Sequence, residues 1–130
     1  MDVLVPVDGT ESSHRALSFA IDFADRFDAS LHVVHVSDAE TDATDQILDA
    51  ARDRLGDAGV DDTPELILDE RIGVRTAAHV GERIVDLVEE RGYDHVVMGH
   101  SEGGDVGRAI VGSAAEKVVR SESAPVTIVP

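Results

Sequence analysis

The sequence predicts an α/β fold in three layers, with a parallel five-stranded sheet between two sets of helices. Three observations predict it. Short apolar runs alternate with amphipathic helical segments in the order βαβαβαβαβ, the signature of a parallel sheet covered on both faces. The first of these runs, VLVPV at Val3 to Val7, is near-continuous instead of alternating, as expected of a strand buried on both sides. In Asp94 to Val119 a strand, a glycine-rich loop and a new helix follow one another directly, which is how such folds build a site at the carboxyl end of a strand.

The elements follow in order. Val3 to Val7 is the first strand, and Pro6 is tolerable there because it lies near the strand's end. Asp8-Gly9-Thr10 is the turn off that end, and Thr10 or Ser12 can cap the next helix. The helix runs from Ser12 to Phe27. It carries all three phenylalanines, Phe19, Phe23 and Phe27, at i, i+4 and i+8 beside Ala16 and Ala20, a spacing that predicts a core-facing stripe. Leu31 to Val36 (LHVVHV) is the second strand. Its His32 and His35 fall on opposite faces, cannot share a metal, and read as structural or surface residues.

Ser37 to Asp45 is a polar, acidic loop. A second helix spans Ala43 to Ala58, with Ile47, Leu48, Ala51 and Leu55 on its buried side, and ends at Gly59. Pro64 to Arg71 holds a third strand centred on Leu66-Ile67-Leu68. Gly73 breaks the chain, and Val74, Ala77, Val80, Ile84, Leu87 and Val88 then mark a third helix that ends at Gly92. His95 to Met98 is the fourth strand. Gly112-Ser113 opens the last helix, with Ala115, Val118 and Val119 on one side and Glu116 and Arg120 on the other, and Val126 to Val129 is the fifth strand.

Composition bounds the function. At 130 residues the chain is expected to form one domain over residues 1–130. It has no cysteine, which excludes disulfides, thiolate metal sites and cysteine nucleophiles. It opens MDVLVPVDG without a basic leader and has no apolar run of membrane-spanning length, so a soluble, cytoplasmic protein with no membrane partner is expected. The formal net charge is −16, with Lys117 the only lysine. Without a basic footprint, no nucleic-acid partner is expected. Self-repulsion of this size calls for screening by salt, and the acid-rich, lysine-poor composition resembles proteins of extreme halophiles.

The loop after the fourth strand admits two chemistries. Gly99, Gly103, Gly104 and Gly107 let backbone N–H groups turn toward a phosphate, and the helix opening at Gly112-Ser113 adds its dipole and unpaired donors. Yet GHSEG, Gly99 to Gly103, is also a G-x-S-x-G after a strand, the form of a nucleophile elbow. The serine hydrolase reading fails downstream, because no histidine follows Ser101. A receiver-like phospho-acceptor domain fails too: Asp8 is present, but the lysine it needs after the fifth strand is not.

The whole chain resembles the universal stress protein family. VLVPVDGTESSHRAL matches the family's opening strand, the Asp after it and the first helix. LHVVHV and GYDHVVMG match the second and fourth strands, and GSAAEKVVRSESAPVTIVP matches the closing helix and strand. The resemblance implies strand order 3-2-1-4-5, a homodimer paired through the C-terminal strand, and a site for ATP or AMP. Nucleotide-binding members carry G-x2-G-x9-G-[ST]. Gly99 matches its first glycine and Gly112-Ser113 its close, but Glu102 stands at the second. By resemblance, Asp8 beside Val7 would hold the ribose or adenine, with Pro6 and Val36 near the base and Met98 lining the pocket. Gly99, Gly112 and Ser113, followed by Ala114, would receive phosphate.

Glu102, with Asp105 nearby, places like charge against a triphosphate unless it turns outward or an ion such as Mg2+ bridges it. An alternative therefore stands beside nucleotide binding: a dimeric interaction module of the same family that takes no nucleotide. No P-loop lysine or arginine finger is placed for efficient ATP hydrolysis, so an enzyme is not expected.

Overall fold

The computed structural model describes residues 1–70, 76–100 and 112–130. Its elements are β1 (Asp2–Pro6), α1 (Glu11–Phe27), β2 (Ser30–Ser37), α2 (Asp42–Asp57), β3 (Glu65–Leu68), α3 (Thr76–Arg91), β4 (His95–Gly99), α4 (Ser113–Arg120) and β5 (Val126–Val129). The strands form one sheet in the order β3-β2-β1-β4-β5, and every pairing is parallel. Fold class and strand order are those expected. Arg71, Gly73 and Val74 lie outside the described residues, and the third strand stops at Leu68.

Side-chain alternation divides the core into two layers. Val3 and Val5 of β1, Val33 of β2 and Val97 of β4 point to one face, where Ala16, Leu17, Ala20 and Ala24 of α1 and Ala51 and Leu55 of α2 cover them. Leu4, Val34, Val36, Val96 and Met98 point to the other, under Ile84, Leu87 and Val88 of α3 and Ala114, Ala115 and Val118 of α4. The central strands are thus buried on both faces, which is why they read as unbroken apolar runs. Ile47 and Leu48 are only half-buried, so α2 contacts the sheet mainly through Ala51 and Leu55.

Two expected stripes are corrected. Phe19 is 42% exposed and Phe27 62%. The face of α1 that meets the sheet is its alanine row, because small side chains let the helix axis come close. The phenylalanines lie about 60° round the helix from that row, at its flank. Phe23 is the half-buried one, its ring centroid 5.3 Å from that of His95 and 4.7 Å from that of Phe27. Val119 of α4 is likewise 48% exposed, whereas Val118, one position earlier, is buried.

Local signals set the boundaries. Thr10 is the N-cap of α1, its hydroxyl accepting from Ser13 N–H, while Thr41 and Thr44 form a reciprocal capping box at α2. β1 ends at Pro6, whose nitrogen cannot continue a ladder. Gly9 turns the chain with φ +83, and a Cβ there would lie 3.0 Å from Ile47 of α2. Among the described residues, no helix is long and apolar enough to cross a membrane.

Candidate functional site

α1 and α2 cover one face of the sheet and α3 and α4 the other, so the chain changes sides between the neighbours β1 and β4. A crevice opens where these two strands and β2 end, the usual ligand position in open α/β sheets. A cavity lies there. Pro6, Val36 and Met98 project from the strands into it, and Val80 and Ile84 of α3 and Ala114 and Ala115 of α4 complete an apolar wall. Val7, Asp8, Ser13, His35, Gly99, His100 and Gly112 form the remaining, more polar border.

Hydrogen bonds fix the polar border. Asp8 Oδ1 accepts from the Thr10 hydroxyl at 2.6 Å and the Thr10 N–H at 3.0 Å, while the Asp8 N–H donates to Ser13 Oγ at 3.2 Å. The β1–β2 ladder closes with Val7 N–H donating to Val34 O at 2.8 Å. Its next rung would run from Val36 N–H to Val7 O. Instead, Val7 O accepts from His35 Nδ1 at 2.7 Å, which assigns the proton to Nδ1. His35 thereby ends the ladder and leaves the Val36 backbone directed at the crevice.

β4 and the start of α4 close the other side. His100 N–H donates to Val129 O at 2.8 Å, and Gly112 N–H donates to His100 O. Gly112 is the N-cap of α4 and, as a glycine, supplies no side-chain cap, and the positive end of the helix dipole lies at the cavity edge. His100 Nδ1 is buried and has no hydrogen-bond partner among the described residues. Gly99 packs directly on α1: a Cβ there would lie 2.6 Å from Ser12 Oγ and 2.8 Å from both Ser12 C and Ser13 N.

Of the positions singled out by sequence, the structure brings Pro6, Val7, Asp8, Val36, Met98, Gly99, Gly112 and Ala114 to this one cavity. Ser113 does not line it; its side chain is exposed in the first turn of α4. Ser101, Glu102, Gly103, Gly104, Asp105 and Gly107 lie outside the described residues. Sequence reasoning missed Ser13, His35, Val80, Ile84, His100 and Ala115. A histidine inside an apolar strand carries no local sign of what it faces. His100 was legible only as the neighbour of Ser101.

The titratable groups with shifted pKa lie at the opposite, amino ends of the strands. His32 stands between Asp62 Oδ1 and Glu65 Oε1, each 2.8 Å from a ring nitrogen. Burial lowers its pKa, but the hydrogen bonds and charges of Asp62 and Glu65 outweigh that and raise it above the ordinary value. Glu65 is held at about 2 by its hydrogen bond from Arg91, against desolvation, with His32 adding to the effect. Burial lowers the His95 pKa. Among the described residues, no three His, Asp or Glu side chains are placed to hold a metal ion.

The model of the universal stress protein family matches residues 1–130. A universal stress protein of Methanocaldococcus jannaschii is 24% identical over 136 residues, 98% of this chain and 80% of its own length. The crystal structure of a universal stress protein in complex with cAMP is 25% identical, with a TM-score of 0.76 and coverage of 100% of this chain and 96% of that one. The universal stress protein from Archaeoglobus fulgidus in complex with dAMP shares the fold at 21% identity, with a TM-score of 0.75 over 100% of this chain and 98% of its own.

Proposed function

The chain belongs to the universal stress protein family, and from that premise we propose that the cavity binds an AMP-type nucleotide without turning it over. The observation that carries this reading is the convergence at one crevice of an apolar slot, a carboxylate and a helix N-terminus that begins at a glycine. Pro6, Val36, Met98 and Ile84 form a slot for the base. The Val36 backbone, released from the ladder by His35, faces the base's polar edge. Asp8 stands at the ribose. Gly112, Ser113 and Ala114 open α4 where a phosphate gains most from the helix dipole. The relative crystallised with cAMP supports the same ligand class.

ATP is the larger candidate. Glu102 and Asp105 oppose its extra charge, so Mg2+ should matter for ATP and little for AMP. The protein works as a cytoplasmic homodimer in this proposal, paired through β5. That strand is an apolar edge whose four residues are all half-exposed.

Calorimetry in molar potassium chloride tests the reading, with AMP, ATP and cAMP titrated with and without Mg2+. Saturable heat with wild type that disappears in Gly112→Val is expected, because the valine side chain blocks approach to the α4 start. If wild type gives no heat with any of them, and Glu102→Gly restores none, the nucleotide reading fails and the interaction module remains.

A further inference from the structure

We propose that His100 is a ligand-binding residue whose Nδ1 donates a hydrogen bond to the nucleotide's phosphate. This rests on the nucleotide reading of the cavity and adds to it a side chain at a position whose identity the glycine motif leaves open. A buried polar atom without a partner costs free energy, and native structures seldom leave one so without a reason. Nδ1 of His100 is the one such side-chain atom among the described residues, and it belongs to a residue that lines the cavity.

Position indicates which part of the ligand it meets. His100 follows β4 directly, and strand alternation places it on the Met98 side of the sheet, the side covered by α3 and α4. Its carbonyl accepts from Gly112 N–H, which joins its backbone to the N-cap of α4. The backbone of His100 therefore adjoins the start of α4, where the phosphate is placed in this proposal. The net charge of −16 leaves few cations for an anionic ligand. Lys117, the only lysine, lies one turn further along α4 and is 3.9 Å from Glu82. An imidazole with its proton on Nδ1 donates to a phosphate oxygen whether or not the ring is charged.

The test compares AMP with adenosine by calorimetry in molar potassium chloride on wild type, His100→Ala and His100→Asn. It is joined by nitrogen NMR of the histidine rings. Wild type should prefer AMP. His100→Ala should weaken AMP by about 10- to 100-fold, the range for a hydrogen bond to a charged group, and leave adenosine unchanged. His100→Asn, whose amide nitrogen sits near the place of Nδ1, should recover most of the loss. The Nδ1 resonance that disappears in His100→Asn should shift with AMP and stay still with adenosine.

If His100→Ala binds AMP as wild type does, or loses AMP and adenosine equally, the inference is overturned and the nucleotide reading stands. Equal affinity of wild type for AMP and adenosine overturns it in the same way. If wild type binds neither, both fall. Unchanged adenosine binding in the alanine variant also shows that it has folded.

Discussion

Gly99→Ala is the sharpest test of how the crevice is built. Gly99 has no special backbone angle to lose, so alanine is allowed there by conformation and is barred only by space. Its Cβ would meet Ser12 C and Ser13 N at 2.8 Å and Ser12 Oγ at 2.6 Å. Ordinary contacts between such atoms begin near 3.5 Å, so the gap must open by roughly 0.7 Å or more. Two of the three atoms are backbone, and no rotamer change can move them. The first turn of α1 is also held by the Thr10 cap and by Arg15, whose Nε–H donates to Pro130 O at 2.7 Å.

Overpacking of this kind costs about 1–3 kcal/mol. The smaller unfolded-state entropy of alanine returns about 0.4–1 kcal/mol. The net expectation is a destabilisation of roughly 0–2.6 kcal/mol, against a gain for an unobstructed glycine. Gly56→Ala is the control. That glycine is in α2 with nothing within 4 Å of its Cβ, so alanine should stabilise by about 0.5–1 kcal/mol. Urea unfolding at constant high salt measures both, as shifts in midpoint with unchanged slope. A Gly99→Ala variant stabilised as much as Gly56→Ala would refute the claim that β4 and α1 are in backbone contact at the cavity.

Four further outcomes are expected. The His32 pKa is raised in the folded state, so its ion pairs stabilise fully below pH 6.5 and lose that effect as pH rises through the folded value; the stability difference between wild type and His32→Gln should therefore be largest below pH 6.5 and shrink above it. The lowered pKa of Glu65 has the opposite sign: its contribution is present above about 4.5 and lost as pH falls toward about 2, which an acid titration of Glu65→Gln against wild type should show. With a net charge of −16, unfolding midpoints should rise steeply from low to molar potassium chloride, and a flat curve would remove the halophile proposal. Light scattering at micromolar concentration in high salt should give a dimer, and a charged substitution at Ile128 on the β5 edge should shift it to monomer.

Much of the fold was legible in the chain alone, because its signals are local. Apolar runs of strand length, helical spacing, Thr10 as a cap and glycines after helices each act over a few residues. The match of Gly99 and Gly112-Ser113 to a family motif placed one side of the site in the same way. What the sequence could not decide is which way an element turns once it packs. Phe19 and Phe27 have the helical period of a core stripe, yet the alanines beside them face the sheet, since close approach of helix and sheet rewards small side chains more than large ones. The cavity's other half is nonlocal for the same reason. Ser13, His35, Val80, Ile84 and His100 come from four different elements or their ends, and only the parallel order β2-β1-β4 sets them around one crevice. Whether the Val7 carbonyl would take the Val36 N–H or the His35 ring, and whether His100 Nδ1 would find a partner, depended on where β1 stopped and α4 began. Those are properties of packed backbone, with no counterpart in residue spacing.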